Sequence, residues 1–156
     1  MQDDEVVARG MLPSGEDWQL TATVRPDNVM TMLSITRQGT SVFGGGMGGP
    51  ALAENQSLNL YWGSEGDVFG IVVRAAESVA HLTVTVGSAE PTELRLHPVP
   101  HCPGVNVAAF GLKMDRREEI SLSARDRNGH VLETRSSPVA PPAPPAGTTG
   151  GGWLAE

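Results

Sequence analysis

"EDWQLTATV", residues 16–24, sets Trp18, Leu20, Ala22 and Val24 against Gln19, Thr21 and Thr23 in alternation. A period of two puts the first set on one face of a pleated strand and the second on the other, as in a strand with one covered face. The same reading extends outward. "NVMTMLSIT" (28–36), "LNLYW" (58–62), "VFGIVVRA" (68–75), "VAHLTVTV" (79–86), "TELRLH" (92–97), "VNVAAFGL" (105–112), "EISLSARD" (119–126) and "HVLETR" (130–135) follow, with "VVARGML" (6–12) a weaker first strand. Nothing longer than a turn or two reads as helical. About ten short strands broken by turns, in a chain with 19 Gly and 12 Pro, predict an all-β fold: a single antiparallel β-sandwich, Ig-like or related.

Two hairpins can be placed residue by residue. In "SARDRNGHVLE" (123–133) a three-residue loop, Arg127-Asn128-Gly129, pairs Asp126 with His130 and sets Ala124 opposite Leu132, with Gly129 in the left-handed region. In "HLTVTVGSAEPTELRLH" (81–97) a five-residue loop, 87–91, pairs Val86 with Thr92 and faces Val84 with Leu94 and Leu82 with Leu96. On the other face it brings His81 opposite His97.

That register gives "LHPVPHCPG" (96–104) its interest. His81 and His97 share an outer face, and His101 and the single cysteine, Cys102, follow in a proline-framed loop. Three imidazoles and a thiolate suffice for a tetrahedral zinc site. The competing reading is solvated strand histidines beside a stiff turn, because Pro98 and Pro100 forbid a helix that would align His97 with His101. Thiol catalysis is disfavoured, since the neighbouring His101 and Cys102 point apart in an extended segment.

"FGGGMGGPAL" (43–52) carries Gly44, Gly46 and Gly49 at dinucleotide-loop spacing, but no crossover helix fits between it and "SLNLYW" (57–62). A P-loop is excluded by Pro50 and Ala51, which stand where it needs Lys and Ser or Thr. The segment reads as a mobile loop between strands, at a binding rim. Phe43, Met47, Tyr61 and Trp62 beside it form the candidate interaction patch, with Tyr61 and Trp62 on opposite strand faces so that one is exposed. "KMDRREE" (113–119) is a charge-mixed turn.

A formal charge of -7, from 11 Lys and Arg against 18 Asp and Glu, argues against nucleic acid and anionic lipid as partners. One cysteine cannot form an internal disulfide, so it assigns no compartment. The N-terminus "MQDDE" has neither a basic nor an apolar leader region, and no run has the length of a membrane span. The chain is expected to be cytoplasmic if whole and extracytoplasmic if excised from an anchored protein, without inserting into a membrane itself. Residues 1–137 read as the folded domain. Residues 138–156, opening "PVAPPAPPAG" and closing "WLAE", read as a flexible Pro/Gly-rich tail whose Trp153 is either a docking anchor or an idle aromatic.

The order "ARGMLPSGEDWQLTATV" (8–24), a pair of short strands, "FGGGMGGP" (43–50), "LYWGSEGDVFGIVVRAAESVAHLTVTVG" (60–87), "NVAAFGL" (106–112) and "ISLSARDRNGHVLE" (120–133) resembles a group of poorly characterised bacterial β-sandwich domains. These often form the extracytoplasmic part of a membrane-anchored protein, and the resemblance spans about residues 7–135. Members of that group commonly carry one cysteine before the Gly-rich segment and one within it; here Met32 or Leu33 and Met47 stand in those regions. The resemblance therefore implies a fold, while the missing cysteines depart from the group's extracytoplasmic setting, and it implies no crosslink, activity or histidine role. The function expected is a non-enzymatic interaction module with a protein or cell-envelope partner and no cofactor. A zinc-binding accessory domain is the second reading and a small hydrolase-like enzyme the third.

Overall fold

The computed structural model describes residues 4–52, 56–114 and 118–140, with side chains to 136. All of its regular structure is antiparallel strand. The elements are β1 (Glu5–Met11), β2 (Asp17–Arg25), β3 (Asn28–Arg37), β4 (Thr40–Met47), β5 (Leu58–Glu65), β6 (Val68–Ala76), β7 (His81–Val86), β8 (Thr92–Leu94), β9 (His97–Pro98), β10 (Val105–Lys113), β11 (Glu118–Arg125) and β12 (Val131–Ala140). They form three four-stranded sheets, β1-β2-β3-β4, β5-β6-β10-β9 and β12-β11-β7-β8.

The all-β expectation holds, but the single ten-stranded sandwich gives way to three stacked sheets. The β5-β6-β10-β9 sheet is the middle layer. Along β6, Val68 and Val72 join the core made with Leu20, Leu33, Ile35 and Phe43 of the first sheet. Phe69, Ile71, Val73 and Ala75 join the core made with Leu82, Val84, Ile120 and Leu122 of the third. A strand covered on both faces has no polar side, which is why "VFGIVVRA" reads as a near-continuous apolar run rather than an alternation.

The Gly-rich segment is the main correction to the sequence reading. Residues 40–47 form the edge strand β4, with Met32 opposite Gly46, Leu33 opposite Gly45 and Ser34 opposite Gly44. Gln38 and Gly39, both at positive φ, make the two-residue turn that closes the β3–β4 hairpin. A Cβ on Gly45 would lie 2.6 Å from the Tyr61 ring, and one on Gly70 of β6 would lie 2.6 Å from the Phe43 ring. Each ring thus lies against a glycine of the facing sheet.

Arg74 is the polar exception in β6, fully buried on the face that meets the first sheet. Its Nε donates to the Ala51 carbonyl at 2.9 Å. Nη1 reaches the Val29 carbonyl at 2.8 Å, Thr31 Oγ1 at 3.1 Å and the Met47 carbonyl at 3.2 Å, and Nη2 reaches those of Gly48 at 3.0 Å and Pro50 at 3.2 Å. Burial pushes the guanidinium pKa down, partly countered by Cys102 nearby. No carboxylate pairs with it among the described residues. The oriented carbonyls of 47–51 take that place, so one side chain fastens the exit of β4 to the middle sheet.

At the other end of these two sheets, Arg37 bridges Glu16 at 2.7 Å and Asp67 at 3.3 Å. The Ser14 hydroxyl also donates to Glu16. Those two partners, Ser14 first, hold the buried Glu16 carboxyl down at about 2, from an ordinary value of 4.5. A depressed carboxylate stabilises the fold fully above its unfolded pKa and ceases to do so as pH falls through its folded one. Unfolding midpoints in urea should therefore drop between about pH 4.5 and pH 2. Glu16→Gln should flatten that acid limb and cost about 1–3 kcal/mol at neutral pH, and a limb unchanged in the variant would place the acid sensitivity elsewhere.

Candidate functional site

The residues expected to form a histidine cluster are separated. Val84 pairs with Thr92 and Leu82 with Leu94, so the β7–β8 register lies two residues away from the one expected. A two-residue slip keeps every side chain on its own face, so alternation alone cannot detect it. The chain then leaves β8 after Leu94 and crosses to the middle sheet, where His97 pairs with Val107. His81 stays in the third sheet, its Nδ1 3.0 Å from Glu93 Oε2. His101, at φ 62°, places Nε2 3.2 Å from Glu5 Oε1. Cys102 is half-buried and packs against the core between the first and middle sheets. Burial, with Arg95 nearby, lowers the His97 pKa. Among the described residues, no three of the His, Cys, Asp and Glu side chains converge as a metal site.

The expected interaction patch is core instead. Phe43 and Trp62 are buried, and Met47 and Tyr61 are half-buried against the first core. Tyr61 and Trp62 do point to opposite faces of β5. Neither is left bare, because the middle sheet has a neighbour on each side. The second hairpin is partly as read: Asp126 and His130 close it, with Gly129 at φ 85°. A bulge at Ala124/Arg125 then shifts Ala124 from Leu132 to Glu133.

A different site emerges where the middle sheet is incomplete. β9 contributes only two residues, pairing with Asn106 and Val107, so among the described residues no strand pairs with β10 from Ala108 to Lys113 on the side away from β6. The Val99 amide bonds to the Val105 carbonyl at 3.1 Å, which fixes which groups face β9. By alternation, the amides and carbonyls of Ala109 and Gly111 point to the vacant side. Backbone groups on a sheet edge need a partner, so water or an incoming chain would satisfy them.

This edge forms one wall of an apolar cleft of about 500 Å³. Met11, Leu12, Trp18 and Leu33 of the first sheet line one side, and Val86, Ala89, Glu90 and Thr92 of the third line the other. Phe110 and Leu112 of β10 face the third sheet, while Ala109 and Gly111 face the first. Met11 is among the most exposed apolar side chains, at 66%. Its volume and apolar lining fall in the range of ligand clefts. Sequence reading missed the cleft because it is made by what β9 lacks, and the two prolines flanking Val99 in "HPVPHCPG" were the available signal of a strand cut short.

Comparison with family models, with curated proteins and with solved structures returns no match.

Proposed function

We propose that the protein is a non-enzymatic binding module that takes an extended peptide segment of a protein partner onto the free edge of β10. The observation that carries this reading is the coincidence of a β10 edge that no described strand pairs at Ala109 and Gly111 with apolar walls on both sides. An added strand gains affinity from main-chain hydrogen bonds and specificity from alternate side chains entering two pockets, here toward Leu12 and Trp18 and toward Val86 and Phe110. Glu90 at one lip and a net charge of -7 favour a segment with basic flanks. A cell-envelope protein is the proposed source of that segment.

Selection of unstructured peptides displayed against the immobilised full chain tests the reading. Peptides with two apolar residues at alternate positions should be enriched. Their affinity should fall about tenfold or more, roughly 1.4 kcal/mol, in Met11→Glu or Ala89→Glu, both at exposed lip positions. Thr21→Glu, on β2 outside the cleft, should leave affinity unchanged. No enrichment, or equal loss in all three variants, would overturn it.

A further inference from the structure

We propose that in the resting chain the cleft is occupied by the chain's own segment around Trp153 and Leu154. The proposal rests on the reading of the cleft as a peptide site and names its first occupant. Ala140, at the end of β12, lies opposite Glu118 of β11, and the next residue, Glu119, accepts the Gly87 amide at 2.7 Å. The chain therefore leaves the third sheet at the same end as the 87–91 loop, whose Ala89 and Glu90 line the cleft. From β12 across β11 and β7 to β8 is three strand spacings, roughly 15 Å.

Trp153 follows Ala140 by 153 − 140 = 13 positions, and a polyproline-like chain of that length reaches about 40 Å. The intervening "PPAPPAGTTGGG" (141–152) has no large apolar side chain, so Trp153 and Leu154 are the first such pair after β12. The tether ensures that a weak intrinsic affinity is enough, since a short linker holds its end at an effective concentration of order millimolar. Alternate residues of the segment would face the two apolar walls while its backbone meets Ala109 and Gly111. An outside peptide must then displace the tail, which makes the tail a built-in competitor.

The full chain labelled with 5-fluorotryptophan reports on Trp18, Trp62 and Trp153 separately, with Trp153→Phe assigning the last. A nitroxide on Ala89→Cys, in a Cys102→Ser background, should broaden the Trp153 resonance strongly, and chemical reduction of the label should restore it. In a mixture of nitroxide-only and fluorine-only chains the resonance should stay sharp. Broadening in that mixture would assign the tail to a neighbouring copy and overturn the proposal, as would a Trp153 signal indifferent to the label. Independently of any label, the double variant Trp153→Ala, Leu154→Ala should bind the selected peptides about tenfold more tightly than the parent chain. Peptides that bind parent and double variant equally would sink the tail placement alone. Absence of any binding peptide would sink the cleft reading with it.

Discussion

Arg74→Met should lower unfolding stability by about 3–5 kcal/mol, the cost of breaking a buried charged network from one side. The substitution keeps most of the buried volume, so the loss is not a cavity effect. It arises because five carbonyls, of Val29, Met47, Gly48, Pro50 and Ala51, and the Thr31 hydroxyl lose their shared donor, those of Val29 and Thr31 in a buried position and the others in part-buried ones. Arg74→Lys should recover only a small part, because an ammonium has three donors on one atom and cannot span acceptors arranged around a planar fork. Urea unfolding of both variants checks this. A loss below about 1 kcal/mol in Arg74→Met would mean that the 47–51 backbone finds other partners.

The second large effect separates a strand from a loop at Gly44 and Gly46. Gly46→Ala places a Cβ 2.0 Å from the Thr31 carbonyl oxygen and 2.8 Å from the Met32 Cα, both backbone atoms of the paired strand. Neither can move without disturbing β3, so a loss of about 3 kcal/mol is expected. Gly44 has open space at its Cβ position and an ordinary φ. Gly44→Ala should therefore be neutral or gain up to about 1 kcal/mol by restricting the unfolded chain. In a mobile loop both substitutions would gain. Parallel thermal melts decide it, and equal behaviour of the two variants would contradict the β4 assignment.

The fold was legible where one physical rule governs one strand. Alternation in "EDWQLTATV" places Leu20 and Ala22 in the core, and "RNG" closes its hairpin as turn chemistry requires. Legibility failed where two elements share a decision. The β4 strand hid behind three glycines of poor strand propensity and a Gln38-Gly39 turn outside the usual Asn-Gly pattern. Their reason is sited elsewhere in the chain, in the Tyr61 ring against Gly45. Arg74 could not be placed from its own neighbours, since its partners lie 23 to 45 residues away. The histidine pairing failed because parity fixes a face and leaves slips of two residues open. The cleft was least legible of all, being bounded by three sheets and defined by a strand that stops after two residues.

A map of intermolecular nuclear Overhauser effects between the full chain and a selected peptide tests the proposed peptide binding most directly. Peptide backbone contacts are expected in antiparallel or parallel register along Ala109–Gly111, with alternate peptide side chains touching Trp18 and Val86. Peptide contacts confined to the free edge of β12 or the outer face of the first sheet, with Ala109 and Gly111 unchanged, would contradict it.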